Sequence, residues 1–140
     1  LFVYVRKLDE EGQWLPTLIL DEPWPGIIGK LRVSRRELDE KTSTPFQPRY
    51  TYRKEEFLKP GEIVPVEIEI WPTSMIWHAG QQLSVVVAGH YIRRPGWFEP
   101  FCWDLRNKGH HIIHTGGRYD SHLLVPVIPP KYQAGNYVYR

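Results

Sequence analysis

The alternation of apolar and polar positions is clearest between Gly61 and Tyr91. Val64, Val66, Ile68 and Ile70 alternate there with Pro65, Glu67, Glu69 and Trp71. A period of two puts the two sets on opposite faces of a pleated strand, so the segment predicts a strand with one face buried and one wet. After a link from Pro72 to Gly80 a second strand is predicted. It carries Leu83, Val85 and Val87 on one side and Gln82, Ser84, Val86 and Ala88 on the other. The link is too long for a tight hairpin and holds its own apolar cluster, Met75-Ile76-Trp77, which fits a passage from one sheet to another.

The same pattern recurs along the chain. Leu1–Leu8 predicts a first strand, with Leu1, Val3 and Val5 alternating with Phe2, Tyr4 and Arg6, and the turn Asp9–Gly12 ends it. Trp14–Leu20 predicts a second, broken by Pro16 and so suited to an edge or a bulge. Asp21–Gly26 is expected to be a loop holding Trp24 between two prolines, and Gly29–Arg36 a third strand. Asp39–Tyr52 lacks periodicity and contains Pro45 and Pro48, which predicts an extended surface loop. Arg53–Leu58 is expected to be a short strand, and Arg93–Asn107 is irregular and aromatic. His110–His114 and His122–Ile128 predict the last strands, the second with Leu123, Val125 and Val127 as its inner row. Many short strands, turns at their ends and no helical stretch of ten residues predict an all-β sandwich.

Composition agrees with this and narrows the function. The 140 residues suit one domain, spanning 1–140, and 13 prolines, 11 glycines and a 14% aromatic share favour strands and turns. The net charge is only +2. Its nearest approach to a basic face, Arg32, Arg35 and Arg36, is offset in sequence by Glu37, Asp39 and Glu40, so a nucleic-acid partner is not expected. No apolar run nears the ~20 residues that span a bilayer, so no membrane partner is expected either. The single cysteine, Cys102, excludes an internal disulfide and fits a cytoplasmic location. The chain starts without Met at full strand amplitude, which reads as a piece of a longer polypeptide.

Candidate chemistry is sparse. A nucleophile elbow needs glycines two positions either side of its serine, and none of Ser34, Ser43, Ser74, Ser84 and Ser121 has one. Cys102, between Phe101 and Trp103, reads as a small buried hydrophobe. On a strand His110 and His114 share a face but lie ~13 Å apart. That is too far for one zinc with bonds of ~2.0–2.1 Å. Neither a metal nor another cofactor is therefore expected. Glu67 and Glu69 read as a wet strand face, and Asp104 and Asp120 as local partners of Arg106 and Arg118. The loop aromatics Trp77, Trp97, Phe98 and Trp103 are the candidate surface residues. They could plug the sandwich ends, contact another domain, or stack on a ligand such as a sugar.

Four stretches carry a family likeness: LRVSRRELD (Leu31–Asp39), STPF (Ser43–Phe46), Pro60–Val85 and Asn107–Pro129. In that order they resemble the C-terminal domain of the X-Pro dipeptidyl-peptidase and cocaine esterase (CocE/NonD) family of serine hydrolases. The resemblance implies a jelly-roll sandwich of the galactose-binding kind whose first strands would precede Leu1. It also implies an upstream α/β-hydrolase domain with a Ser-Asp-His triad, no residue of which maps onto this chain. The expected role is a non-catalytic accessory domain that packs on the catalytic domain and shapes substrate access. The alternatives are a carbohydrate-binding module and a structural or oligomerising domain, the latter a homo-oligomer built on an unpaired strand edge.

Overall fold

The run Phe2-Val3-Tyr4-Val5 is apolar at every position, as a strand buried on both faces must be, and it lies at the middle of a sheet. The structure is a computed structural model describing residues 1–19, 22–24, 26–92, 105, 107 and 109–128. Its strands are β1 (Phe2–Leu8), β2 (Thr17–Ile19), β3 (Glu22–Trp24), β4 (Ile27–Lys30) and β5 (Gln82–Ala88). One sheet has the order β4-β1-β5, antiparallel throughout, and β2 and β3 form a separate two-stranded ribbon. The architecture is all-β and in keeping with a β-sandwich. Among the described residues no helix is long and apolar enough to cross a membrane.

The register sorts the core into two faces. On one, Val3, Val5 and Lys7 lie opposite Val87, Val85 and Leu83 of β5, with Gly29 and Ile27 of β4 on the other side. On the other face Phe2 and Tyr4 lie opposite Ala88 and Val86. Tyr4 is completely buried, and its hydroxyl accepts the Ile92 amide proton at 3.0 Å. Tyr91 closes over this face, its ring centroid 6.0 Å from that of Phe2 and 6.3 Å from that of Tyr4. Burying Val3 and Val5 on the opposite side contributes about 1.5–3 kcal/mol each. Leu31 extends the ladder past β4 by exchanging bonds with Leu1, donating to its carbonyl at 3.0 Å and accepting from its amine at 2.7 Å.

Several predicted elements take other forms. Asp21–Gly26, expected to be a loop, supplies β3, which pairs with β2 to make a hairpin. Pro23 is tolerated because a two-stranded ribbon leaves one edge of each strand free of donors and acceptors to match. The strand expected over Gly29–Arg36 stops at Lys30 and turns into a 3-10 segment at Val33–Arg35. Arg36 explains the turn, since its guanidinium donates to the carbonyls of Val33 at 3.2 Å and Glu56 at 2.8 Å. The segments Arg53–Leu58, His110–His114 and His122–Ile128 carry no strand ladder among the described residues. The first makes a backbone bond to the 3-10 segment, from the Glu56 amide to the Ser34 carbonyl, but a single bond is not a ladder.

The stretch from Val64 to Ile70 keeps its alternation without becoming a full strand. Val64, Val66 and Ile68 are half-buried and Pro65 and Glu67 exposed, as predicted. Its pairing with β4 is a single bridge between Gly29 and Ile70. In place of a neighbouring strand, the Tyr50 hydroxyl donates to the Glu67 carbonyl at 2.6 Å and accepts from the Glu69 amide at 3.3 Å. β5 forms where its pattern predicts, but the row Leu83, Val85 and Val87 is 42%, 44% and 42% exposed. The burial of Val3 and Val5 therefore does not extend to the row beside them on β5.

Candidate functional site

Beyond Val5 the first strand becomes polar, and the link from Pro72 to Gly80 is stitched over this end of the sheet. The Lys7 ammonium donates to the Ile76 carbonyl at 2.8 Å, and the Trp77 indole N–H donates to the Gln82 carbonyl at 3.1 Å. The His78 amide donates to the Gln81 side chain at 2.8 Å, which closes the turn into β5. On the other flank of β1, Leu15 donates to the Lys7 carbonyl at 2.9 Å and Trp14 bridges Leu8. The Arg6 guanidinium sits 4.9 Å over the Trp14 ring. Between these flanks runs an open groove of about 500 Å³, with Lys7 at its base, Leu15, Pro16 and Thr17 on one wall and Met75 and Ile76 on the other. Ile76 and Trp71 stand out into solvent, 68% and 71% exposed.

Of the four candidate aromatics, Trp77 is described and is half-buried, its indole N–H bonded within the fold. Trp97, Phe98 and Trp103 lie outside the described residues, as do Cys102, Asp104 and Arg106. The histidines are dispersed. His110 and His111 are exposed, while His114 stacks on Tyr119 with centroids 4.8 Å apart. Among the described residues no three His, Cys, Asp or Glu side chains are placed to hold a metal ion. The Ser121 hydroxyl donates to the backbone carbonyl of His114 at 2.7 Å rather than to its ring. Ser34 donates to Glu55 at 3.1 Å, and Ser43 bonds the backbone of Arg49.

The charged residues find partners other than those nearest in sequence. Arg35 pairs with Glu55 and Arg36 with Glu56, each at 3.5 Å, while Lys54 bridges Glu37 at 3.0 Å and Glu56 at 2.9 Å. The expected local offset by Glu37, Asp39 and Glu40 is thus replaced by a cross-link to the segment 54–56. The 3-10 turn causes this, by swinging the arginines toward Glu56, whose amide donates to the Ser34 carbonyl at 2.7 Å. Glu37 is held below the usual carboxylate range, first by the Thr51 hydroxyl and then by Lys54. Lys54 is raised in turn by its bonds to Glu56 and Glu37. The pairs flank an open hollow of about 760 Å³ running to Val64 and Glu67. Apart from Arg36 the partners are solvated, and the pairs pin the two segments together.

Two smaller expectations are also revised. Asp120 faces His122 at 3.5 Å, while Arg118 donates to the Tyr119 hydroxyl at 2.7 Å and lies over its ring. Glu69 is half-buried and accepts from Gln47 at 3.3 Å, so only Glu67 behaves as a wet-face carboxylate. Sequence reasoning missed the Lys7-to-Ile76 stitch because 69 positions separate its ends. The one available signal was a lysine following an apolar strand.

Comparison with known proteins bears on this surface. The family described as X-Pro dipeptidyl-peptidase C-terminal non-catalytic domain matches residues 1–124. Two crystal structures of a CocE/NonD family hydrolase from Staphylococcus aureus are similar, each with 37% identity and a TM-score of 0.62 over 68% of this chain. The match covers 18% of one of those chains and 17% of the other, so this chain spans less than a fifth of their length. No curated protein sequence matches it.

Proposed function

The chain belongs to the family of X-Pro dipeptidyl-peptidase C-terminal non-catalytic domains, and we propose that it serves a longer serine hydrolase by packing on its catalytic domain and shaping the approach of substrate. The carrying observation is that a non-catalytic domain family matches residues 1–124 while the similar hydrolase chains are more than five times as long as the match. The catalytic α/β-hydrolase domain would lie upstream in the same polypeptide. In this reading residues 1–140 act as one sandwich unit with a jelly-roll path, and the exposed link around Ile76 and Trp77 is a contact surface. The secured end of Trp77 supports that role, since an anchored loop presents its apolar edge without first having to be ordered. Trp97, Phe98 and Trp103 remain candidates for the same contact.

The reading is tested by assaying the purified chain against X-Pro dipeptidyl anilides and simple acyl esters. No turnover is expected. Turnover that a serine-directed reagent abolishes would place a nucleophile inside this chain and overturn the accessory role.

A further inference from the structure

The hollow beside the ion pairs lies between two segments outside the β4-β1-β5 sheet. Its lining comes from residues 36–56 on one side and from Val64, Pro65 and Glu67 on the other. The first side belongs to an antiparallel arm, residues 33–58. The Glu56 amide donates to the Ser34 carbonyl at 2.7 Å, Thr51 to Glu37 at 3.0 Å and Asp39 to Arg49 at 2.7 Å. Leu38 bridges Tyr50 between these bonds, and Thr44 and Gln47 exchange bonds at the tip. The returning limb takes five steps from Thr51 to Glu56, where the outgoing limb takes three from Ser34 to Glu37. Tyr52 absorbs the excess at a φ of 53°, in the left-handed region that a bulky residue seldom enters. The Arg35 guanidinium holds its carbonyl there at 3.3 Å. Such slippage erases a period of two, which is why the arm leaves no strand pattern in the sequence. The pairs Arg35–Glu55, Arg36–Glu56 and Lys54–Glu37 all cross from one limb to the other and brace the arm.

The joint between this arm and the stretch 64–70 is made differently. Among the described residues, every hydrogen bond across it involves a side chain. The Tyr50 hydroxyl bonds the Glu67 carbonyl and the Glu69 amide, and the Gln47 side-chain amide donates to the Glu69 carboxylate at 3.3 Å. Between the arm and the stretch the chain passes through a turn closed by the Glu62 amide on the Lys59 carbonyl at 3.0 Å. Gly61 in this turn has a φ of 77° and open space around it. Backbone bonds braced by ion pairs hold or break together, whereas a clasp of three side-chain bonds at a partly exposed joint releases on its own.

We propose that residues 33–58 swing as one body about the Lys59–Glu62 turn when the clasp of Tyr50 and Gln47 lets go, while the β4-β1-β5 sheet stays closed. The width of the hollow is then a variable of the fold, set by the clasp. This device stands apart from the accessory role and does not depend on it.

The test is amide hydrogen exchange, followed by NMR on the whole chain and on Gln47→Ala. That substitution cuts one bond of the clasp and leaves the Tyr50 hydroxyl on the Glu69 amide. Because the clasp opens as a unit, the Glu69 amide is expected to exchange about three- to tenfold faster, although its own bond has not been touched. The amides of Asp39, Thr51 and Glu56, inside the arm, should keep their parent rates, as should Val5 in β1. Gln47→Glu, which also serves should Gln47→Ala fail to fold, sets a carboxylate against that of Glu69. It should accelerate the Glu69 amide further, by a factor that added salt reduces. An unchanged Glu69 rate in either variant would show that the clasp bonds break independently, and the proposal falls. Acceleration of Asp39 and Thr51 together with Glu69 would mean that the arm unravels rather than swings, which also overturns it. Acceleration at Val5 as well would assign the event to opening of the whole chain, with the same consequence.

Discussion

Gly29 and Glu69 meet backbone to backbone: a Cβ built on Gly29 would lie 2.6 Å from the Glu69 carbonyl oxygen and 3.0 Å from side-chain carbons of Ile68 and Ile70. This contact brings the alternating stretch Val64–Ile70 onto the edge of β4, where Gly29 and Ile70 form their bridge. Backbone cannot yield as a flexible side chain would, so Gly29→Ala must push the two segments apart. The expected cost is about 1–3 kcal/mol, the range for overpacking a tight contact. It would be read as a lower urea midpoint with an unchanged slope. An unchanged midpoint would mean that the segment is not held at this edge.

Tyr50 holds the same stretch from its other side. Its hydroxyl bonds both the Glu67 carbonyl and the Glu69 amide, two groups that a neighbouring strand would otherwise satisfy. Tyr50→Phe removes both bonds and keeps the ring. Because the site is partly open to water, the loss should be near the lower end of the usual penalty, about 1 kcal/mol. Faster hydrogen exchange is expected at the Glu69 amide and not at Val5 in β1. Uniform acceleration at both would show that the bond supports the whole fold rather than this segment.

The two residues also show how far the sequence could be read. Strand periodicity located β1 and β5 because alternation is a local property of the side chains. It could not reveal that the Val64–Ile70 stretch leans on a tyrosine hydroxyl, since Tyr50 lies in a segment with no periodicity and the bond spans 17 positions. The alternation of β5 also left open how much of its Leu83 row is covered, because burial depends on the layer above and not on the strand itself. Family membership was legible for a different reason: the motifs of Pro60–Val85 and Asn107–Pro129 are long and survive whatever the local ladder does. Of the candidate aromatics, Trp77 was singled out as a loop residue, but its internal bond to Gln82 depends on the path of the link and carries no sequence signature.

Alkaline stability follows from the buried phenols. Burial raises the Tyr4 and Tyr50 hydroxyls above their ordinary value of 10.0 in the folded chain. Above pH ~10 the unfolded chain therefore releases protons that the folded chain keeps, and stability falls as pH rises. The contribution is whole below pH ~10 and is lost as pH climbs through the raised folded values. Urea midpoints measured from pH 8 to pH 11.5 should decline past about pH 10, and Tyr50→Phe should shallow that decline. A decline equally steep in Tyr50→Phe would assign it to other groups.

At the acid end the group to follow is Glu37. Its carboxylate accepts from the Thr51 hydroxyl and pairs with Lys54 at 3.0 Å, and the two together hold it below the ordinary 4.5. Thr51→Val removes that donor with little change of shape. The Glu37 carboxyl, followed by NMR through its side-chain carbon, should then titrate closer to 4.5, as it should in Lys54→Met. The sign for stability is opposite to that of the tyrosines. A depressed folded value favours the folded state above the unfolded value, and the benefit is lost as pH falls through the folded one. Thr51→Val should therefore lose part of its stability near neutral pH and show a flatter acid limb than the parent chain. Because the cluster is solvated, added salt should weaken the Lys54→Met effect and leave the Thr51→Val effect nearly unchanged, since screening acts on the ion pair and not on a hydrogen bond from a neutral hydroxyl. A Glu37 titration left unmoved in Thr51→Val would show that the hydroxyl plays no part in holding the carboxyl down.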